Sequence, residues 1–194
     1  MEPIRTIRSL RPRVSQEDAI AAFGRGMGSL FRGPLQRVAA VYLPFRFFEV
    51  EVENRGRLSK SCYAADAVTG TLDLFEFPSP PSEAEVVTLG SANGVPVLID
   101  EARALELIVS KVERAVFLAG FFRVHNLHVR ARRLPADIHV PYWLGFFGNG
   151  EQATLRVMDA VRRQMEGSKA RALFEDWLMG RLNPCERVAL IRRP

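Results

Sequence analysis

The hydrophobic pattern of this chain changes period several times, and each change marks an element. Phe48, Val50 and Val52 alternate with Glu49, Glu51 and Glu53, which marks a strand with one buried and one wet face. That strand is expected over Gln36 to Glu53. Pro44 interrupts it, and a residue with no amide to give belongs at an edge or a bulge. Asn54-Arg55-Gly56-Arg57 then turns the chain, Leu58 to Val68 returns, and Thr69-Gly70 leads into a third strand over Thr71 to Phe77 that buries Leu72, Leu74 and Phe77. Further on, Arg123 to Arg133 and Asp137 to Phe147 read as two strands broken by Leu134-Pro135. Gly148-Asn149-Gly150 turns into another strand over Gln152 to Val161.

Helical periods frame these runs. Ser15-Gln16-Glu17-Asp18 starts a helix with a capping serine and two acids at its positive end. Ala19 to Phe23 continue it until Gly24, Gly26 and Gly28 weaken it, and Arg32-Gly33-Pro34 closes the element. Asp100 opens a long helix to about Phe121, where Ala104, Leu105, Ile108, Val112, Ala115, Val116 and Ala119 recur at helical spacing. A last helix is expected over Ser168 to Leu182, with Ala172, Leu173, Trp177 and Leu178 facing inward, stopped by Asn183-Pro184.

Part of the pattern occurs twice. Tyr42-Leu43-Pro44-Phe45-Arg46-Phe47-Phe48 is followed, 22 residues after its proline, by Asp66-Ala67-Val68. His139-Val140-Pro141-Tyr142-Trp143-Leu144-Gly145-Phe146-Phe147 is followed, 18 residues after its proline, by Asp159-Ala160-Val161. Two copies of one supersecondary unit imply a pseudo-symmetric α+β fold: two tandem units, each a helix and an antiparallel three-stranded sheet, with the C-terminal helix packed on the second. Pro44 and Pro141 should then hold equivalent places, each beside its own Asp-Ala-Val turn. The expected divisions are a loose basic arm over 1–14, a first unit over 15–77, a linker over 78–99 centred on Pro78-Ser79-Pro80-Pro81-Ser82, a second unit with its closing helix over 100–182, and a basic tail over 183–194.

Composition narrows the class. A 194-residue chain that is 47% hydrophobic and 25% charged can bury a real core. Its longest apolar run, Ala115 to Phe122, spans eight residues, far below the roughly 20 that cross a bilayer, so no transmembrane segment is expected. No apolar stretch follows the arginines of the first 14 residues, so no secretory signal is read there. With only Cys62 and Cys185, no disulfide framework is expected, which favours a reduced thiol and a cytoplasmic location. The net charge is +5, and only three of the 27 basic residues are lysines, Lys60, Lys111 and Lys169. Arginine suits carboxylates, phosphates and aromatic faces, though a GC-rich genome would leave the same bias.

The helix start Ser15-Gln16-Glu17-Asp18-Ala19-Ile20, the strand Phe48-Glu49-Val50-Glu51-Val52 and the run Ala65-Asp66-Ala67-Val68-Thr69-Gly70-Thr71-Leu72 together resemble the PepSY domain over about residues 15–77. A fainter echo covers about 100–166, where Asp159-Ala160-Val161-Arg162-Arg163 replaces the hairpin. The resemblance implies a small helix on a three-stranded antiparallel sheet, and an association with binding or inhibiting peptidases, generally outside the cytoplasm. This chain departs from the pattern in that no export signal is expected, in its longer helix-to-strand connection and in its basicity.

Candidate chemistry is sparse. His125 and His128 lie three apart and would point to opposite faces of a strand, with His139 further on, so no metal set is expected. Gly24-Arg25-Gly26-Met27-Gly28 ends a helix instead of opening one, unlike a phosphate loop. Asp66 and Asp159 read as turn residues before they read as a catalytic pair. No catalytic residue, metal or cofactor is assigned. Neighbouring aromatics on a strand cannot all face inward, so Tyr142, Trp143 and Phe147 are candidates for a partner surface, rimmed by Arg130, Arg132, Arg133, Arg162 and Arg163. The expected function is therefore a non-enzymatic, protein-binding accessory or scaffolding subunit with an acidic protein or larger complex as partner, and a homodimer is consistent with it. The alternatives are a basic nucleic-acid-associated protein and a small-ligand binder or enzyme of unknown chemistry.

Overall fold

The computed structural model describes residues 3–25, 33–120, 124–148 and 153–182. The fold is mixed α+β. In chain order it runs β1 (Arg5–Leu10), α1 (Gln16–Gly24), β2 (Leu35–Asn54), β3 (Arg57–Asp66), β4 (Phe75–Phe77), β5 (Val86–Ser91), α2 (Glu101–Gly120), β6 (His128–Phe147), β7 (Thr154–Asp159), β8 (Gln164–Met165) and α3 (Ser168–Leu178). The two expected sheets are one: among the described residues, eight strands share a single sheet of order β4-β3-β2-β6-β1-β5, with β7 and β8 continuing beyond β6.

The frame is the antiparallel pair of β2 and β6, each 20 residues long, matched from Leu35 opposite Phe147 to Glu53 opposite His128. Leu43 faces Val140 at its middle. The break expected at Leu134-Pro135 is a bulge in a continuous strand, because the register shifts between Arg46 and Phe48 while β6 passes from Asp137 to Arg133. The extra residues are on β6, so the alternation of β2 runs on unbroken and Phe47 and Phe48 bury on opposite faces of the sheet.

Pro44 and Pro141 lie in the two central strands, not at a bulge. The outer edge of β2 is served by β3 as far as Phe45, opposite Asp66, and the Tyr42 amide and carbonyl then bond to Asn93 and Val95. Pro44 stands between these partners, where no ladder donor is required. Its carbonyl accepts from the Ala67 amide at 2.9 Å. Pro141 stands likewise between Tyr142, opposite Asp159, and His139, beside Ser9 of β1, and its carbonyl accepts from the Ala160 amide at 3.1 Å.

Other interactions recur in the same way. Ser15 accepts from the Asp18 amide at the start of α1, and Asp100 from the Arg103 amide at the start of α2. The Arg13 amide donates to the Ala160 carbonyl, and the Leu98 amide to the Ala67 carbonyl. Each helix therefore enters beside the turn of the opposite half. On one face of the sheet, α1 packs Ala19 and Phe23 with Phe147, Met158 and Ala160, and α2 packs Ala104, Ile108 and Val112 with Phe48, Val50 and Ala65. Gly145 admits the Phe23 ring, which would lie 2.9 Å from any Cβ there.

The other face holds the main core: Leu43, Phe45 and Phe47 of β2, Val140, Tyr142 and Leu144 of β6, Phe75 of β4, and Leu173 and Phe174 of α3. The sheet curls around it. In a flat sheet β4 and β7 would sit about 19 Å apart, four strand spacings. Instead the Arg162 guanidinium, just beyond β7, lies 3.7 Å from the centre of the Phe75 ring of β4.

Several sequence expectations need correction. Part of the segment read as a loose arm is β1, which pairs with β5 and touches β6. The third strand shrinks to Phe75–Phe77 because the chain before it winds around Asp66. Asp66 Oδ1 accepts from the amides of Val68, Thr69 and Gly70, and Oδ2 from that of Leu72. The last helix stops at Leu178, before Gly180 with φ +65°, and its inner residues are Ala170, Leu173 and Phe174, while Ala172 and Leu178 are exposed.

Asp66→Ala strips the acceptor from four amides, three of them on buried residues. It should cost roughly 3 kcal/mol in urea unfolding, with Asp66→Asn losing less.

Candidate functional site

The structure scatters the residues expected to form a partner surface. Tyr142 is fully buried, its ring 5.2 Å from that of Phe174. Phe147 is buried against Phe23, edge to face at 6.2 Å. Trp143 is half-buried on the opposite face, and its indole Nε1 donates to the Val14 carbonyl at 3.0 Å. Both faces of the sheet are covered here, so Tyr142 packs in the core on one side and Phe147 and Trp143 on the other.

The five arginines do not form one rim either. Arg130 and Arg132 lie on the first half of β6, twelve and ten residues before Tyr142, which is about 33–40 Å of extended strand. Arg162 and Arg163 follow Asp159, the partner of Tyr142 in β7. Arg132 donates to Glu49 at 2.7 Å, and Arg130 stands opposite Glu51, which itself pairs with Lys60. Beside Arg132, the Glu49 carboxyl is held below its usual range. Arg133 reaches Glu101 at the start of α2 and Asp137 at 3.1 Å. Arg163 is exposed in the β7–β8 turn, with φ +61°. The glutamates of the wet face are what neutralise this end of the sheet.

Arg162 is structural. Its Nε donates to the fully buried Asp159 at 2.8 Å, its Nη2 to Glu166 at 2.8 Å, and its guanidinium covers Phe75. Asp159 Oδ1 meanwhile accepts from the amides of Val161 and Arg162, both at 2.7 Å. Asp66 and Asp159 are thus occupied as turn organisers, each by its own loop. Nearby, Lys111 of α2 donates to the Leu72 carbonyl, and burial lowers its affinity for a proton. Lys169 pairs with Asp73 at 2.9 Å beside a shallow cleft of about 210 Å³.

The remaining candidates are the Cys62 thiol and the three histidines. Cys62 is a buried free thiol, its pKa pushed up to about 11 mainly by burial, and hence unreactive. His125 and His128 are exposed. His139 is half-buried, donates from Nδ1 to the Arg8 carbonyl at 3.1 Å, and lines a cleft of about 190 Å³ with Arg5, Thr6, Ile7 and Val95. Burial lowers its pKa, partly offset by that hydrogen bond and by Asp137. Among the described residues no group of three or more His, Cys, Asp or Glu is placed to hold a metal, and no helix is long and apolar enough to cross a membrane. Gly26, Met27, Gly28, Cys185, Arg192 and Arg193 lie outside the described residues.

The surface that sequence reasoning missed is the end of α2. Its apolar stripe continues through Ala115, Leu118 and Ala119, yet all three are exposed, Leu118 at 77%, with Phe117 at 42% beside them. The stripe outruns its cover, which stops near Val116. The signal in the sequence is the length of the apolar run from Ala115 to Phe122. No protein-family model matches the chain, and no curated protein or solved structure matches it.

Arg162→Ala leaves Asp159 buried without its cation and should cost about 3 kcal/mol in urea unfolding. Arg162→Lys should recover only part of this, because a lysine cannot meet two carboxylates and cover a ring at once. His139 gives a second expectation. The unfolded chain takes up a proton near pH 6.5 that the folded imidazole refuses, so His139 favours folding above that pH and the benefit is lost as pH falls toward 5. His139→Gln should flatten thermal stability over pH 5–7.

Proposed function

We propose that this chain is an internally duplicated, non-enzymatic module that serves as a protein-binding accessory or scaffolding subunit, and that the exposed end of α2 is its contact surface. The duplication reading rests on the paired interactions of the two halves: the Pro44 and Pro141 carbonyls with Ala67 and Ala160, and the amides of Leu98 and Arg13 with the same two turns. Asp66-Ala67-Val68-Thr69-Gly70, the core of the PepSY resemblance, organises the first of these turns, and an accessory role agrees with that family's association with peptidase binding.

The observation that carries the functional reading is the uncovered stripe at Leu118. The candidate acids, thiol and core histidine are committed to the fold, so their chemistry is spent on structure. Large exposed apolar side chains at the end of a helix mark surfaces that another molecule covers. Arg132 and Arg133 are matched by Glu49 and Glu101, which argues against a broad anionic ligand such as nucleic acid.

The test is binding by purified components. A partner captured by the chain, identified and reconstituted with it should bind the Leu118→Asp variant at least tenfold more weakly, with the urea midpoint unchanged. Equal affinity for Leu118→Asp refutes the assignment of this surface. RNA that co-purifies and is shed at modest salt supports the nucleic-acid alternative instead.

A further inference from the structure

The halves on either side of residues 78–82 are not separate bodies. β2 of the first half pairs with β6 of the second along its whole length, and β1 pairs with β5. α1 packs on Met158 and Ala160 of the second half, while α2 packs on Tyr63 and Ala65 of the first. Each half therefore presents its largest apolar surfaces to the other. What connects them is Pro78-Ser79-Pro80-Pro81-Ser82, exposed except at Pro81, which is half-buried. A segment so rich in proline is semi-rigid and extended, so it resists folding back on itself.

We propose that two copies of this chain exchange halves through this hinge, the first half of each copy completing the sheet with the second half of the other. Every contact between the halves is re-made in such a dimer, so the two forms differ in the hinge alone. The closed monomer wins when chains are dilute, because a short tether holds the halves at an effective concentration on the order of mM. The stiff hinge lowers that advantage, and the exchanged form grows when chains meet while still unfolded. The partner is a second copy of this chain, and the inference is independent of any role for Leu118.

Glu51 and Arg130 face each other across β2 and β6, and Arg130 is exposed. Two differently tagged chains, one carrying Glu51→Cys and the other Arg130→Cys, both with Cys185→Ser, are unfolded, mixed in equal amounts, refolded over a range of concentrations and then oxidised. Exchange predicts a covalent heterodimer whose yield rises with refolding concentration and exceeds several-fold that from mixing the already folded chains. The unmodified 21.8 kDa chain, refolded at the same concentrations, should show a species of twice that mass by light scattering. Monomer alone at every concentration overturns the proposal. So does a dimer in which the two singly substituted chains fail to join.

Discussion

One constraint governs the molecule: two 20-residue strands lie antiparallel along their whole length and must find different outer partners at their two ends. Toward one end β3 flanks β2, and toward the other β7 flanks β6. The outer partner changes at the middle of each strand, and there each strand has its proline. A proline is expensive inside a sheet because it withholds a donor. At these two steps it costs little, since the flanking strand has just ended and the next partner begins two residues away. The carbonyls of the prolines remain useful, and both are taken by the amide that follows a buried aspartate. Strand pairing, turn position and helix entry are thus fixed around one crossing, Leu43 against Val140.

The curl of the sheet brings its edges together, and the two halves solve the resulting burial of charge differently. Asp66 is satisfied by four backbone amides and the Thr69 hydroxyl, through a loop long enough to bring the Leu72 amide to its second oxygen. The turn after Asp159 is tighter, and the second oxygen there takes the Arg162 side chain instead. That substitution does more than satisfy an acid, because the same guanidinium meets Glu166 and covers Phe75 from the opposite edge. A buried ion pair adds little or no net stability over an apolar replacement, but removing one partner is costly because it leaves the other charge buried. Here it marks the seam where the curled sheet closes. The arginine bias accordingly has a structural use, matching cross-strand glutamates at one end and sealing the curl at the other.

What the sequence disclosed was local. The alternation after Phe47, the caps at Ser15 and Asp100 and the long helix between Glu101 and Gly120 were all legible, because short-range period and capping chemistry decide them. The identity of strand neighbours was not. Arg5–Leu10 looks like a charged arm because its arginines are exposed to solvent or held by Glu83, and only pairing with β5 makes it a strand. Tyr142, Trp143 and Phe147 could be placed on opposite faces from alternation, but whether both faces were covered depended on α1 and α3 arriving from distant parts of the chain. The same distance effect hid the Arg162 contact with Phe75, which joins residues at opposite edges of the sheet.

Differences between matching positions are as informative as the matches. Phe45 and Tyr142 each follow their proline, and both are fully buried, but the Tyr142 hydroxyl finds no hydrogen-bond partner among the described residues. Burial and the nearby Asp159 hold that hydroxyl firmly in its protonated form. Arg46 and Trp143 come two residues after their prolines. The indole is satisfied at Val14, whereas the buried guanidinium keeps Nε and Nη1 without a hydrogen bond and approaches Asp137 only at 3.7 Å. In each pair an apolar or satisfied side chain fits one half while the other half carries an unmatched donor, at a cost of about 1–3 kcal/mol apiece. A fold that tolerates both penalties has its stability elsewhere, in the apolar contact between its halves. That is the property expected of a sheet whose two parts hold each other in place.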